Sequence, residues 1–515
     1  MRPKGRLSER ITGWQWAALA TLATAAALRL YDLSAKVLHH DEGVNGMFMT
    51  TLFRTGYYHY DPRNFHGPTL YYFGWVTTTI NSLFYGKDGL STFAIRVVTV
   101  LFGLGLVWLL LSLRRELGDT GSLGAALLMT VSPGFVFFSR YFIHEVLFAF
   151  FTLAVLVAVL RYLETKQPRY LLVASASAAV LGATKETWVI TVGVWLVALP
   201  CTWAYFRLRN TFPKTPALNS PAAVVKGRIE QRTPHQPSPA KTQLYITAAA
   251  VFLVVWILFY SSFFTNFPQG VYDSVRTFGY WFKTSNTANL YGPMKYFEWI
   301  GITEIATFVL GSLGVVIAFT LGRSRSAVFA AFWSIGILAA YSIVRYKTPW
   351  NALSFLLPLI VMGGYALQQL SRSLGGWTMV LAAPALAWSF YQAYDISFNR
   401  YDDETAGYSY AHTRRDFLNL VNEIESIAAG NPEGKNIGVT VMSPEHWPLP
   451  WYLRDYPRAG YYGKVVPTTE PIIIAHENQH AEVERLLGDR YRLFSSHDLR
   501  PGNRLYLYLR RDVQP

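Results

Sequence analysis

Eleven blocks of roughly 15–22 predominantly apolar residues recur along the chain, a length that crosses a bilayer. They fall near residues 12–30, 93–113, 122–138, 143–162, 170–184, 187–206, 244–262, 301–321, 327–344, 351–370 and 375–392. Composition agrees. Only 15% of the 515 residues are charged, where a soluble chain carries about a quarter. The expected fold is a polytopic α-helical membrane protein of about eleven transmembrane helices. The net charge of +14 does not point to nucleic acid, because the basic residues gather in short loops between the apolar blocks. The single cysteine, Cys201, forms no internal disulfide and leaves the redox compartment open.

Lysines and arginines mark the cytoplasmic side of a membrane protein. Here they lie at the N-terminus (Arg2, Lys4, Arg6, Arg10), in residues 207–243, at Arg114 and Arg115, at Arg161, Lys166 and Arg169, at Arg323 and Arg325, and at Arg372. With eleven crossings and a cytoplasmic N-terminus, all of these fall inside. The basic start before Trp14–Leu30 has the look of a signal peptide, but the many blocks that follow favour a retained first helix. The expected organisation is a membrane domain, residues 1–395, with outer loops 31–92 and 263–300 and a cytoplasmic loop 207–243. An extracytoplasmic α/β domain, 396–515, follows. In that tail Phe417, Leu420, Val421 and Ile424 recur at helical spacing. Strand-like runs lie at 437–442, 471–475, 491–495 and 504–509, with a helical stretch at 480–487, the pattern of a partly parallel sheet.

Under this topology several ionisable residues gather at outer helix ends: Asp41, Glu42, Arg96, Arg140, His144, Glu145, Lys185, Glu186, Arg345 and Lys347. Charges there are expensive and tend to be functional. Arg140, Lys185, Arg345 and Lys347 also run against the positive-inside rule, so the set reads as an anion site suited to a phosphate on a lipid. The run His39-His40-Asp41-Glu42 has three readings. It is a metal site, with His59 and His66 nearby; or Asp41 caps a short helix with Val44, Met47, Phe48 and Leu52 on one face and Gly56 past its end; or Asp41 is a general base. Cap and base are compatible. His66, before Gly67-Pro68, touches substrate or stabilises a turn. Trp447, Trp451 and Tyr452 bind a glycan or pack the tail onto the outer loops. No Walker-type or dinucleotide-binding motif, no HExxH and no cysteine pair is present.

Together these segments resemble a known family. The Asp-Glu pair after the first apolar block, "NFHGPTLYY" (64–72), "FAIRVVTVLFG" (93–103), "FSRYFIHEVLFAFF" (138–151), "LGATKET" (181–187) and "RYKTPWNALSFLLPLI" (345–360) resemble the protein O-mannosyltransferase and aminoarabinose transferase superfamily of GT-C glycosyltransferases. Glu145 stands where that family usually has Asp. "YKTPWN" with "EHWPLPWYLRDY" (445–456) is similar to an archaeal and bacterial subfamily labelled flippase-activity-associated. The resemblance implies a polyprenyl-phosphate-linked sugar as donor and a protein, lipid or glycan acceptor at the outer face of the cell membrane, with inversion. It implies Asp41 as base with Glu42 as its partner, and Glu145 positioning a sugar. His66, Arg140, Lys185, Arg345 and Lys347 would hold the lipid phosphate, and Arg96 would be structural. No cofactor is implied firmly; a divalent metal is left open. The subfamily label implies an alternative: a non-catalytic accessory or flippase-associated protein that handles lipid-linked sugars.

Overall fold

The structure is a computed structural model that describes residues 12–64, 66–211, 239–284 and 289–513. Arg2, Lys4, Arg6 and Arg10, and most of the expected cytoplasmic loop 207–243, lie outside the described residues.

Each apolar block is helical. The helices that matter below are α1 (Gly13–Leu30), α2 (His40–Thr55), α3 (Thr69–Tyr85), α4 (Thr92–Ser112), α5 (Asp119–Val131), α6 (Pro133–Ser139), α7 (Glu145–Thr165), α8 (Pro168–Gly182), α9 (Trp188–Thr211), α10 (Pro239–Tyr260), α11 (Gln269–Thr284), α12 (Ile305–Leu321), α13 (Arg325–Ile343), α14 (Leu353–Leu374) and α15 (Trp377–Tyr394). Among the described residues six helices are long and apolar enough to cross a bilayer, and the bent pair α5–α6 makes a seventh. The protein is thus a multi-pass membrane protein. Sequence reading gave the outer segment 31–92 one short helix, starting near Asp41; 69–85 is a second, seventeen-residue helix, α3, packed against α4.

The α5–α6 break shows how the bundle places its charges. Pro133 has no N–H and cannot continue α5, and the chain bends by 59° there. The carbonyls of Met129 and Thr130 accept from the buried Arg29 guanidinium (3.0 and 3.2 Å). The start of α6 is held by Glu304, whose carboxylate accepts from Ser132 Oγ and Gly134 N (2.9 and 2.8 Å). Negative charge at a helix N-terminus and positive charge at freed carbonyls are each favourable. Beyond the bend, Ile143, His144 and Glu145 reach the cavity described below.

The C-terminal domain is a five-stranded sheet of order β2-β1-β3-β5-β4: β1 (Val439–Val441), β2 (Ala459–Tyr461), β3 (Ile472–His476), β4 (Tyr491–Arg500) and β5 (Asn503–Arg510). The β2-β1-β3 part is parallel and the β3-β5-β4 part antiparallel. Helices α16 (Phe417–Gly430) and α17 (His480–Leu487) lie where the sequence placed them. Only the three-residue edge strand β2 went unread.

This domain is docked onto α2. Gly43 and Gly46 sit three residues apart, hence on one helix face. A methyl group there would lie 2.6 Å from Pro448 Cβ and 2.5 Å from Trp451 Cε3. Tyr452 Oη accepts from Leu38 N at 3.0 Å. Trp447, Trp451 and Tyr452 are therefore packing residues of this junction.

Candidate active site

The run His39–Glu42 opens α2, but His39 is the cap, not Asp41. His39 Nδ1 accepts from Asp41 N (3.1 Å), and Glu42 Oε2 accepts from His39 N (3.1 Å). This reciprocal pair satisfies two N–H groups that the helix start leaves open. Gly56, at φ +69°, closes the other end. The expected apolar face is also displaced. The buried side carries Glu42, Asn45, Gly46, Met49 and Leu52, while Val44, Met47 and Phe48 are half-buried.

The cap sends neighbouring carboxylates to opposite fates. Glu42 is fully buried. It takes a bidentate hold from Arg96 (Nε–Oε1 and Nη2–Oε2, both 2.8 Å) and accepts from Phe142 N (2.9 Å). Asp41, one residue earlier, is partly exposed and lines a cavity of about 260 Å³.

Three segments build the rest of that cavity. From 62–68 come Arg63, Asn64 and His66. From the α6–α7 junction come Ile143, His144 and Glu145. From the α8–α9 turn come Lys185, Glu186 and Thr187. Trp281 of α11, with Tyr341, Tyr346, Trp350 and Asn351, closes it. Lys185 Nζ donates to Glu145 Oε1 (2.8 Å) and Asn351 Oδ1 (2.7 Å). His66 Nδ1 pairs with Glu186 Oε2 at 2.9 Å. His144 Nε2 donates to Gly67 O (3.0 Å), and Tyr71 Oη donates to Asn45 Oδ1 (2.9 Å).

The cavity's charges are tuned by burial first and by one another second. Burial pushes the Asp41 carboxyl up to about 6. Glu145 adds to this, while His66, Arg500 and Lys185 oppose it. Burial alone would lower the His66 imidazole, but Glu186 outweighs it and holds it raised. Lys185 is likewise held raised by Glu145 and Glu186 against its burial. A polarised pocket results: a carboxylate near its switching point faces an imidazole and an ammonium that both favour the charged form.

Of the nine residues that the resemblance assigned to the site, Asp41, His66, Glu145 and Lys185 line this cavity, as do His144 and Glu186 from the wider set of helix-end charges. The expected cluster of cations does not form. Arg140 donates to the carbonyls of Leu28, Arg29 and Tyr31 (3.4, 3.1 and 2.5 Å), capping α1. Lys347 donates to those of Tyr341 and Ser342 (both 2.8 Å) and Val344, capping α13. Arg345 is exposed and lines no part of the cavity. Arg96 and Glu42 stand behind the wall as a closed pair. In the His-His-Asp-Glu run, His40 and Asp41 both line the cavity, while His39 turns to Tyr410 O (3.2 Å) and Glu42 to Arg96. Among the described residues no group of three or more His, Cys, Asp or Glu stands close enough to hold a metal ion.

Sequence reading passed over Arg63, Trp281, Tyr346, Trp350 and Asn351. Arg63 had a readable signal, since it is a cation in an outer segment close to His66. The three aromatics had none beyond their place in aromatic-rich stretches.

Gly67 sets the seam between two walls. Its N–H donates to Thr184 O (3.1 Å), and a methyl group on it would lie 1.9 Å from Ala183 O. Gly67→Ala therefore has to part 64–68 from 183–187, separating His66 from Glu186. The expected result is a loss of about 1–3 kcal/mol, read as a lowered melting temperature.

Residues 66–223 match the sequence pattern described as dolichyl-phosphate-mannose-protein mannosyltransferase. No curated protein matches the sequence as a whole. Among solved structures, apo ArnT from Cupriavidus metallidurans superposes with TM-score 0.62 at 16% identity, covering 96% of this chain and 98% of that one. ArnT bound to undecaprenyl phosphate gives 0.65 at 15%, covering 98% and 100%. The arabinofuranosyltransferase AftD from Mycobacteria gives 0.50 at 11%, covering 98% of this chain and 40% of that one. The chain thus shares the fold of ArnT over nearly its whole length, and within it residues 66–223 carry the pattern described as dolichyl-phosphate-mannose-protein mannosyltransferase.

Proposed function

We propose that the protein is an inverting membrane glycosyltransferase that moves a sugar from a polyprenyl-phosphate donor to an acceptor hydroxyl, with Asp41 as general base. Residues 1–395 form its membrane domain and 396–515 its extracytoplasmic part, with the N-terminus cytoplasmic. The observation that carries the reading is Asp41 itself. It is a carboxylate raised to about 6, open to a cavity whose other charges are His66 over Glu186 and Lys185 over Glu145. Support for a lipid phosphate comes from ArnT, which has been seen with undecaprenyl phosphate bound.

In the reaction the acceptor oxygen forms a bond to the anomeric carbon as the bond from that carbon to the phosphate oxygen breaks. The hydroxyl proton passes to Asp41, and the lipid phosphate leaves with the electron pair. The leaving charge needs cations in a site of low dielectric. Lys185, His66 in its protonated form and Arg63 at the rim are the residues placed to supply them. Glu145 holds the Lys185 ammonium in place and presents an oxygen to a sugar hydroxyl. Trp281, Tyr346 and Trp350 offer faces for a sugar ring. Glu42, assigned to the base from sequence, takes instead the role of holding the start of α2 and hence Asp41.

The test is turnover of a defined polyprenyl-phosphate sugar by the purified protein in lipid, comparing wild type with Asp41→Asn. Consumption of the donor by wild type alone supports the reading. Equal consumption by both removes Asp41 as base. Lipid redistribution between leaflets without sugar transfer supports the accessory alternative.

A further inference from the structure

A second cavity, of about 970 Å³, lies between the halves of α7, α9, α13 and α14 farthest from Asp41. Its walls are apolar, with Leu156, Leu160, Leu199, Phe329 and Trp333 among them. Its rim is charged. Arg207 lies over the Trp203 ring at 5.0 Å, and Arg325 over the Phe206 ring at 5.8 Å. Among the described residues lining this rim, the acid Glu116 is engaged by Arg161 at 2.7 Å, and Arg207 and Arg325 bring two positive charges to it.

We propose that this groove binds an anionic glycerophospholipid of the leaflet opposite the Asp41 cavity. Its phosphate sits at Arg207 and Arg325, and its acyl chains lie along the apolar wall. Three features support this occupant. The groove's walls offer an acyl chain apolar surface and no charge. Planar guanidinium groups steadied on aromatic faces suit bidentate contact with a phosphate. Basic pockets between helices at the lysine- and arginine-rich side of a bundle are where anionic head groups gather. The sugar donor does not fit the same place. The arginines lie toward the ends of α9 and α13 away from the reacting site. That is most of the length of a helix such as the 21-residue α7, about 30 Å at 1.5 Å per residue. A donor phosphate held there would lie beyond reach of Asp41.

The groove wedges between the same four helices that carry Glu145, Thr187, Tyr341 and Asn351 at or beside their other ends. Occupancy would therefore brace the walls of the outer cavity.

The experiment places the purified protein in phosphatidylcholine nanodiscs and titrates phosphatidylglycerol. Retained lipid is read by native mass spectrometry and stability by melting temperature, with no sugar donor present. The outcome is therefore independent of the transfer reading. The expected result is preferential retention of phosphatidylglycerol with a raised melting temperature. Arg207→Gln and Arg325→Gln each weaken retention roughly five-fold, while Arg→Lys at either position keeps the charge but not the bidentate fork and gives an intermediate loss. Equal retention and stabilisation by the two lipids in wild type overturns the proposal without recourse to any variant. So does unchanged retention in both glutamine variants, or displacement of phosphatidylglycerol by polyprenyl phosphate.

Discussion

Asp41→Asn is expected to lower the proposed sugar transfer severely and, at neutral pH, to make the protein more stable. Removing a general base lowers turnover by about 10²–10⁴-fold. The stability gain follows from the direction of the shift. Asp41 in the unfolded chain releases its proton near 3.8, whereas the folded protein holds it to about 6. Ionising the buried carboxyl is therefore a burden on the fold that is absent below 3.8, grows between 3.8 and 6, and is constant above. Asparagine carries no such burden. Allowing for the partial exposure of Asp41, the gain is of order 1–2 kcal/mol at pH 7.5, and it disappears when melting is measured at pH 4. Turnover has the opposite dependence on protonation. Only the ionised base accepts a proton, so the acidic limb of the rate profile rises through about pH 6. A fall in stability together with lost turnover would mark Asp41 as a structural residue.

The limb can be moved from the other domain. Arg500, at the end of β4, donates to Glu445 (3.0 Å) and to the backbone of Trp447 (3.4 Å), whose ring lies 6.1 Å from His40. Its charge favours the ionised form of Asp41. Arg500→Gln should shift the acidic limb to higher pH, and Arg500→Lys should restore it. A variant that merely loosened the domain junction would lower the rate at every pH and leave the limb in place.

One argument reached part of the cavity from the sequence and also led away from it. Asp41, Glu145 and Lys185 were visible because carboxylates and a lysine at apolar helix ends need a reason to be there, and a shared site is one. The same logic misplaced Arg140 and Lys347. A cation beside a helix end answers equally to a ligand's phosphate and to the last carbonyls of the helix. Sequence spacing does not say which, because the carbonyls that Arg140 caps belong to α1, more than a hundred residues earlier. The face of α2 was misread in a similar way. It was assigned to Val44, Met47, Phe48 and Leu52, of which only Leu52 is buried, while Gly43 and Gly46 lie on the packed side. In a helix pressed against Pro448 and Trp451, the bare side is the packed side. The cap went to Asp41 because aspartate is a common cap. His39 took it because its ring nitrogen reaches the Asp41 N–H, while Glu42 closes the reciprocal bond. The tail was legible almost strand by strand, since short β-branched and apolar runs such as Ile472–His476, buried throughout, are written locally; β2, three residues at an edge, leaves too little pattern to read.

Glu42→Gln is expected to destabilise the protein by about 3–5 kcal/mol, the largest stability effect of any single substitution considered. Both partners of the Glu42–Arg96 pair are fully buried. Beyond holding each other, Arg96 donates to the carbonyls of Leu33 and Lys36 (both 2.9 Å) and of Val37 (3.3 Å). Glu42 accepts from the N–H groups of His39 and Phe142. The pair thus ties the link between α1 and α2, the first turn of α2 and the α6–α7 junction at one point. Glutamine keeps much of the shape but leaves the Arg96 charge buried without a counter-ion. Arg96→Met leaves the Glu42 charge in the same state, so each single change should cost about as much as the other. The double variant Glu42→Gln/Arg96→Met buries no charge and should be less destabilised than the sum of the two, with a coupling of about 1–3 kcal/mol. Melting temperatures of the four proteins in one detergent measure the cycle. Turnover is the separate readout. If Glu42 acts only by holding the start of α2, its loss lowers activity in step with stability. Activity lost at an unchanged melting temperature would instead return Glu42 to the chemistry beside Asp41.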